Sequence, residues 1–227
     1  MFKHVFLTGP PGVGKTTLVR KASEALASSG AAVGGFYTEE VREGGRRVGF
    51  DVVVTTTGER GCLSRIKDPA ASASQGGREY KVGQYVVDLT SFENLSLPLF
   101  RSMGLPTQGD GRKVFVIDEI GKMELFSQPF IREVRQTLDS PRCAILGTIP
   151  ISRGPPPALV EEVRGRSDVR VFTVRTPSYS RSANLLNAYL GQCHAVDPRG
   201  CWTGVSHSFL QAGLCGQSAL LTSTRIQ

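Results

Sequence analysis

Residues 9–16 read GPPGVGKT and fit the phosphate-binding pattern G-x-x-x-x-G-K-[ST] at every fixed position. An apolar, β-prone run at 5–7 precedes the pattern, and a segment with helical spacing of apolar residues follows it. The motif requires this context, because the loop amides and the first turn of the helix must point at one phosphate. The sequence therefore predicts a strand, a phosphate-binding loop and a helix that begins near Gly14.

Each residue type in this loop has a physical role. Gly9, Gly12 and Gly14 let the backbone turn its N–H groups inward, in conformations that a Cβ would penalise. The Lys15 ammonium would neutralise the β- and γ-phosphates of a nucleotide, and the Thr16 hydroxyl would ligate Mg²⁺. The nucleotide-binding residues predicted here are Gly9, Pro10, Pro11, Gly12, Val13, Gly14, Lys15, Thr16 and Thr17.

A second acidic pattern lies downstream, where residues 114–119 read VFVIDE. Asp118 follows a buried strand and is predicted to hold Mg²⁺ together with Thr16, although a strand-end turn would explain Asp118 alone. Glu119 is predicted to polarise the attacking water as general base. The nucleotide-binding residues predicted in this segment are Val114, Phe115, Val116, Ile117, Asp118, Glu119, Ile120 and Gly121. The predicted catalytic residues are Lys15, Asp118 and Glu119.

Other polar residues are weaker candidates. Thr148 ends a predicted strand over 143–149 and is a candidate sensor of the γ-phosphate or the water, or simply a strand-end threonine. Lys122 and Glu124 would face the nucleotide or cap the next helix. The candidate arginine fingers, identified only by elimination and with solvated surface as the alternative, are Arg153, Arg164 and Arg166.

The rest of the chain alternates strand-like and helix-like segments, as is typical of an α/β fold with a mainly parallel sheet. Residues 34–54 predict an antiparallel β-hairpin. The other predicted elements are strands over 82–87, 114–117, 143–149 and 169–174 and helices from Ser91, Ser127 and Pro157, with a loop at 55–77 and a connector at 104–113. We expect one domain over 1–175 and a separate segment over 176–227, with a helix at 182–190 and then an irregular or disordered tail.

Composition excludes several classes of protein. The 227 residues carry a net charge of +7, but the basic residues form no long run, so we do not expect a nucleic-acid surface. The five cysteines form no C-x-x-C pair, which favours a reducing compartment, the cytoplasm or nucleus. No apolar stretch approaches a membrane span or a signal peptide. We expect a monomer.

Several longer blocks carry a more specific resemblance. HVFLTGPPGVGKTTL, GFYTEEVR, VGQYVVDLTSFE, VIDEIGKMELFSQ and ILGTIP resemble the family of the cancer-related nucleoside-triphosphatase, which includes small archaeal and bacterial P-loop NTPases. The resemblance covers residues 1–174, and the sequence departs from the family after Val174. It implies a three-layer α/β P-loop fold of the additional-strand type.

The resemblance also implies an activity. Members hydrolyse the terminal phosphate of ATP, GTP, CTP and UTP with Mg²⁺, slowly and with little base preference. Three alternatives remain at this stage: a nucleotide or small-molecule kinase with a lid at 55–77, a nucleotide-dependent switch associated with nucleic acid, and a variant inactivated by its altered C-terminus.

Overall fold

The computed structural model describes residues 2–66, 79–104, 113–151, 154–175 and 222–223. The described strands are β1 His4–Thr8, β2 Ala32–Glu43, β3 Arg46–Val54, β4 Arg60–Ile66, β5 Tyr80–Val82, β6 Tyr85–Val87, β7 Lys113–Ile117, β8 Cys143–Thr148, β9 Val169–Thr173 and β10 Thr222–Ser223. The described helices are α1 Lys15–Ser28, α2 Leu89–Gly104, α3 Gln128–Asp139 and α4 Ala158–Gly165, and a 3₁₀ turn spans Glu124–Phe126.

All of these strands join one sheet in the order β10-β9-β1-β8-β7-β2-β3-β4-β6-β5. β8 is parallel to β1 on one side and to β7 on the other. It is therefore an additional strand between the strand that leads into the phosphate-binding loop and the strand that leads into Asp118. β9 and β2 are also parallel to their central neighbours, so the carboxyl ends of five strands meet at one edge. The predicted fold class is confirmed.

The sheet is covered on both faces, because successive side chains of a strand point to opposite sides. Val5 and Leu7 of β1 pack with the buried face of α1, whereas Phe6 packs with α2, α3 and α4. The predicted stripe of α1 is fully or almost fully buried: Leu18, Val19, Ala22 and Leu26. The three layers hold the carboxyl edge of the sheet in a fixed position.

The predicted hairpin is present as β2 and β3, which pair antiparallel around a turn at Gly44 and Gly45. Both glycines have positive φ, 54° and 79°, a conformation that favours glycine. The first half of β2 is parallel to β7 and its last pairing is Phe36 with Ile117. The hairpin therefore extends past the carboxyl end of β7, beside the predicted site.

Three predicted elements need correction. Residues 60–66, predicted as part of a loop, form β4. The sequence did not indicate this strand, because exposed and half-exposed arginines flank the buried Leu63 and hide its pattern. The predicted strand at 82–87 is a hairpin of β5 and β6, since Gly83 turns the chain with a φ of 58°. Ser91 does not cap α2: Asp88 accepts the Ser91 N–H at 2.9 Å, so the helix begins earlier.

Other predictions fall on residues outside the described ranges. These are most of the connector at 104–113, the loop over 67–77, the helix at 182–190 and nearly all of the tail. Within the tail, Thr222 and Ser223 pair antiparallel with Thr173 and Phe172, where an irregular segment was expected. The division into 1–175 and 176–227 stays a prediction. None of the helices in the described part of the chain is long and apolar enough to cross a membrane.

Candidate active site

The carboxyl edge of the sheet brings the two predicted motifs together. The phosphate-binding loop follows β1, Asp118 and Glu119 follow β7, and Thr148 ends β8 between them. The Thr148 hydroxyl donates a hydrogen bond of 2.5 Å to Asp118 Oδ1. Two backbone bonds tie the segment after β7 to its neighbours: Asp118 N–H to Phe36 O at 3.2 Å and Ile120 N–H to Thr148 O at 2.9 Å. The site is thus anchored to three adjacent strands.

The phosphate-binding loop has the backbone that its glycines predict. Gly12 has a φ of 75°, and Gly14 is left-handed, with φ 94° and ψ 21°, at the residue before α1. A Cβ on Gly9 would overlap the carbonyl oxygen of Val174. Lys15 Nζ donates to Gly9 O at 3.0 Å and to Pro10 O at 3.3 Å, so its ammonium lies over the loop. Backbone donors and one cation are therefore gathered for a phosphate.

Asp118 is 1% exposed, and its environment is suited to a cation. Burial raises the pKa of its carboxyl, while hydrogen bonding from Thr148, the nearby Thr16 hydroxyl and the charge of Lys15 oppose that rise. Oδ2 has no hydrogen-bond partner among the described residues, although it is buried. A buried, unpaired carboxylate oxygen beside a hydroxyl fits Mg²⁺, which takes hard oxygen ligands from few protein groups and completes its shell with phosphates and water.

Glu119 lies directly beside these groups. Burial is the largest influence on its carboxyl and raises its pKa; the charge of Lys15 opposes this and that of Asp118 adds to it. A carboxylate with a raised pKa is a stronger base, which suits the role of general base.

Several side chains of the predicted nucleotide-binding segment after residue 113 are buried in the core. Val114, Phe115, Val116 and Ile117 are 0% exposed, divided between the two cores on either side of β7. Ile120 is also fully buried. These side chains support the sheet, and the binding role of the segment stays a prediction. Asp118, Glu119 and the backbone near Gly121 are the groups that follow the carboxyl end of β7.

Comparison with known proteins agrees with this geometry. A family model described as NTPase matches residues 4–182. The chain belongs to the NTPase family. A relative named cancer-related nucleoside-triphosphatase, from Homo sapiens, is 64% identical over 174 residues, covering 77% of this chain and 89% of that protein. Nucleoside-triphosphatase THEP1 of Thermotoga sp. (strain RQ2) is 38% identical over 186 residues, covering 82% and 92%.

Two solved structures of NTPase-family proteins have the same fold. A human cancer-related nucleoside triphosphatase, solved in solution, has a TM-score of 0.69 and 59% identity, and the match covers 83% of this chain and 96% of that one. The crystal structure of THEP1 from Aquifex aeolicus has a TM-score of 0.67 and 33% identity, with 82% and 98% covered. The family predicted from the sequence is confirmed, and with it a nucleoside-triphosphatase.

In this NTPase-family site, Glu124 and Lys122 had the same two predicted roles from the sequence, facing the nucleotide or capping the next helix. Lys122 is exposed, whereas Glu124 is 4% exposed and its Oε2 accepts the Gly121 N–H at 3.1 Å. It does not cap α3, because the Ser127 hydroxyl does so by accepting the Phe130 N–H. The only signal was its position among the apolar residues of the segment IGKMELF.

The three arginine candidates are now distinguishable. Arg164 of α4 reaches the carboxyl edge, where its Nη2 donates to Pro150 O at 3.0 Å and to Thr8 Oγ1 at 3.4 Å. Arg166 lies at the opposite edge and pairs with Asp168 and Asp139. Arg153 lies outside the described residues. Solvated surface is therefore the wrong interpretation for Arg164, which ties the end of β1 to the segment after β8.

Proposed function

We propose that the chain is a Mg²⁺-dependent enzyme that catalyses NTP + H₂O → NDP + phosphate. The observation that supports this most is the cluster at the carboxyl edge, where the buried Asp118, the hydroxyls of Thr16 and Thr148, and Glu119 lie beside a phosphate-binding loop. A phosphate-binding loop, a carboxylate and hydroxyl for Mg²⁺ and a second carboxylate for water are groups that phosphoryl transfer uses.

The residues of the chain have distinct roles in this reaction. The loop amides and Lys15 bind the β- and γ-phosphates and stabilise the charge that develops in the transition state. Thr16 and Asp118 would hold Mg²⁺, which supplies further neutralisation of the phosphate oxygens when bound. Glu119 orients the attacking water and accepts its proton. Thr148 donates to Asp118, so it first orients that carboxylate; a sensor role requires its hydroxyl to turn toward the phosphate.

We propose that the enzyme accepts ATP, GTP, CTP and UTP with little discrimination and turns over slowly. All the contacts assigned above are to phosphate, metal or water, and the sequence has no base-reading motif of the kind found in GTPases. Recognition limited to the phosphates binds all four nucleotides with similar free energy.

Two of the three alternatives, the kinase and the switch associated with nucleic acid, have less support. A kinase lid was considered at 55–77, but residues 60–66 are a strand inside the sheet. A nucleic-acid surface would need available cations, whereas prominent arginines on the hairpin and β4 are paired: Arg60 with Glu39, Arg47 with Glu40 and Arg65 with Asp51.

The test is phosphate release from each of the four nucleotides, with and without Mg²⁺ and without any acceptor. We expect release from all four that is lost with Lys15→Ala. Glu119→Gln should bind nucleotide yet turn over at least about a hundredfold more slowly. Wild-type turnover in Glu119→Gln would refute the base assignment. Formation of NDP only when an acceptor is present, with no free phosphate released, would favour the kinase.

A further inference from the structure

The Glu124 carboxyl is a buried titratable group that the proposed reaction does not use. It lies in the 3₁₀ turn Glu124–Phe126 and is 4% exposed. Burial of a carboxyl costs free energy unless its oxygens have partners. Glu124 Oε2 accepts a hydrogen bond from the Gly121 N–H at 3.1 Å, and Gly121 is two residues after the proposed base.

Glu119 and Glu124 converge on the same glycine. A Cβ built on Gly121 would stand 2.7 Å from Glu119 Oε1 and 3.0 Å from Glu124 Oε2. Both carboxyl groups therefore pack against the bare Cα of residue 121, and any larger residue would displace them. An alanine at this position would therefore force the two carboxylates to shift.

The backbone after Glu119 is held at successive residues. The Ile120 N–H donates to Thr148 O at 2.9 Å, and the Gly121 N–H donates to the Glu124 side chain. The Leu125 N–H donates back to Gly121 O at 3.1 Å, which closes the turn. Of these bonds, the one from Gly121 to Glu124 depends on a side chain, so substitution can remove it alone.

We propose that Glu124 is a positioning residue for Glu119: by holding the Gly121 N–H it fixes the turn after Glu119 and aims the Glu119 carboxylate at the attacking water. This inference rests on the proposed role of Glu119 as general base. Misplacement of a reacting group by about 1 Å can cost on the order of a hundredfold in rate, so a turn held by one side chain has a measurable effect on kcat.

The charge state of Glu124 agrees with a holding role. Burial, and then the charge of Glu119, raise the pKa of Glu124 to about 8, so the uncharged acid predominates at neutral pH. An uncharged carboxyl still accepts the Gly121 N–H through its carbonyl oxygen. Glutamine presents the same acceptor in nearly the same shape, whereas methionine fills a similar volume and presents none.

The experiment uses the full chain and compares Glu124→Met, Glu124→Gln, Glu119→Gln and the double variant Glu119→Gln/Glu124→Met. Glu162→Met is the matched control, because Glu162 is a partly exposed carboxylate on α4 that pairs with Arg135. Phosphate release gives kcat, and a fluorescent ATP analogue with Mg²⁺ gives Kd. We expect Glu124→Met to lower kcat at least about tenfold with Kd within about threefold, and Glu124→Gln to recover most of kcat.

The double variant separates positioning from a general structural effect. If Glu124 acts through Glu119, its loss has no further effect on kcat once Glu119 is glutamine. Wild-type kcat in Glu124→Met, equal losses in kcat and affinity, or additive losses in the double variant would each overturn the inference. Turnover that survives Glu119→Gln would instead refute the base assignment. If Glu124→Met does not fold, Glu124→Ala removes the same acceptor without filling the space.

Discussion

Replacing Glu124 with glutamine is expected to change how stability depends on pH. The pKa of this carboxyl rises from 4.5 in the unfolded chain to about 8 in the folded one. The folded state therefore binds more protons than the unfolded state between these values, so the contribution of Glu124 to stability is full below pH 4.5 and is lost as the pH rises toward 8. Glutamine does not titrate, so its contribution to stability does not change with pH in this range.

The size of the effect follows from the shift. One pKa unit corresponds to about 1.4 kcal/mol, so the penalty for Glu124 grows by about 3 kcal/mol between pH 5 and pH 7.5. Over that range the free energy of unfolding of Glu124→Gln, relative to wild type, should rise by a similar amount. Any fixed difference between the two side chains cancels, because only the change with pH is compared.

The measurement is urea unfolding of both proteins at a series of pH values between 5 and 8, with the m-value checked at each pH. Glu162→Gln is the control, because it makes the same substitution at a partly exposed carboxylate that pairs with Arg135. A difference between Glu124→Gln and wild type that does not change with pH would refute the reasoning, and with it the view that this carboxyl is desolvated beside Glu119.

Three further predictions test other parts of the structure. Gly121→Ala should lower kcat at least about tenfold with nucleotide affinity retained, because the new Cβ displaces both carboxylates; this is measured by phosphate release and nucleotide binding. Arg164→Ala should lower kcat by releasing the end of β1 from Pro150, whereas Arg166→Ala should lower the thermal midpoint and leave kcat near wild type, because its partners lie at the opposite edge. His4 is buried, and burial lowers its pKa to about 4, so its contribution to stability is full above pH 6.5 and falls by about 3 kcal/mol toward pH 4; unfolding of His4→Phe should lack this loss.

The parts of the fold that were predicted from sequence have strong local signals. The phosphate-binding loop needs glycines at fixed positions, and Gly12 and Gly14 adopt the positive φ values that explain them. The central strands are continuous apolar runs because both of their faces are buried. β4 gives no such signal, since Arg60 and Arg65 lie on its exposed parts and form ion pairs across the sheet. The alternation of apolar and polar residues in β4 is too weak to identify a strand whose side chains are partly exposed to solvent.

The candidate site shows the same division. Asp118 and Glu119 were predictable because they follow a buried strand, and the parallel sheet brings strand ends to one edge. The contact of Arg164 with Thr8 and Pro150 was not predictable from the sequence, because the packing of α4 brings together residues that are far apart in the chain. The binding residues assigned to the interior of β7 stay a prediction, because their side chains are buried and a motif marks a segment without saying which of its groups contact the ligand.

The spacing of the block DEIGKMEL follows from these contacts. In the proposed reaction Asp118 and Glu119 are adjacent so that one side chain would hold the metal while the next would orient the water. Gly121 must follow after one buried residue, because two carboxyl groups occupy the space that a Cβ would fill. Glu124 must come three residues later, the separation at which a side chain in a tight turn reaches back to a backbone N–H, as in a helix capping box. The position of Glu124 in this block is thus explained by the geometry of Glu119. Burying the Glu124 carboxyl costs stability, and in return the position of the proposed base is fixed.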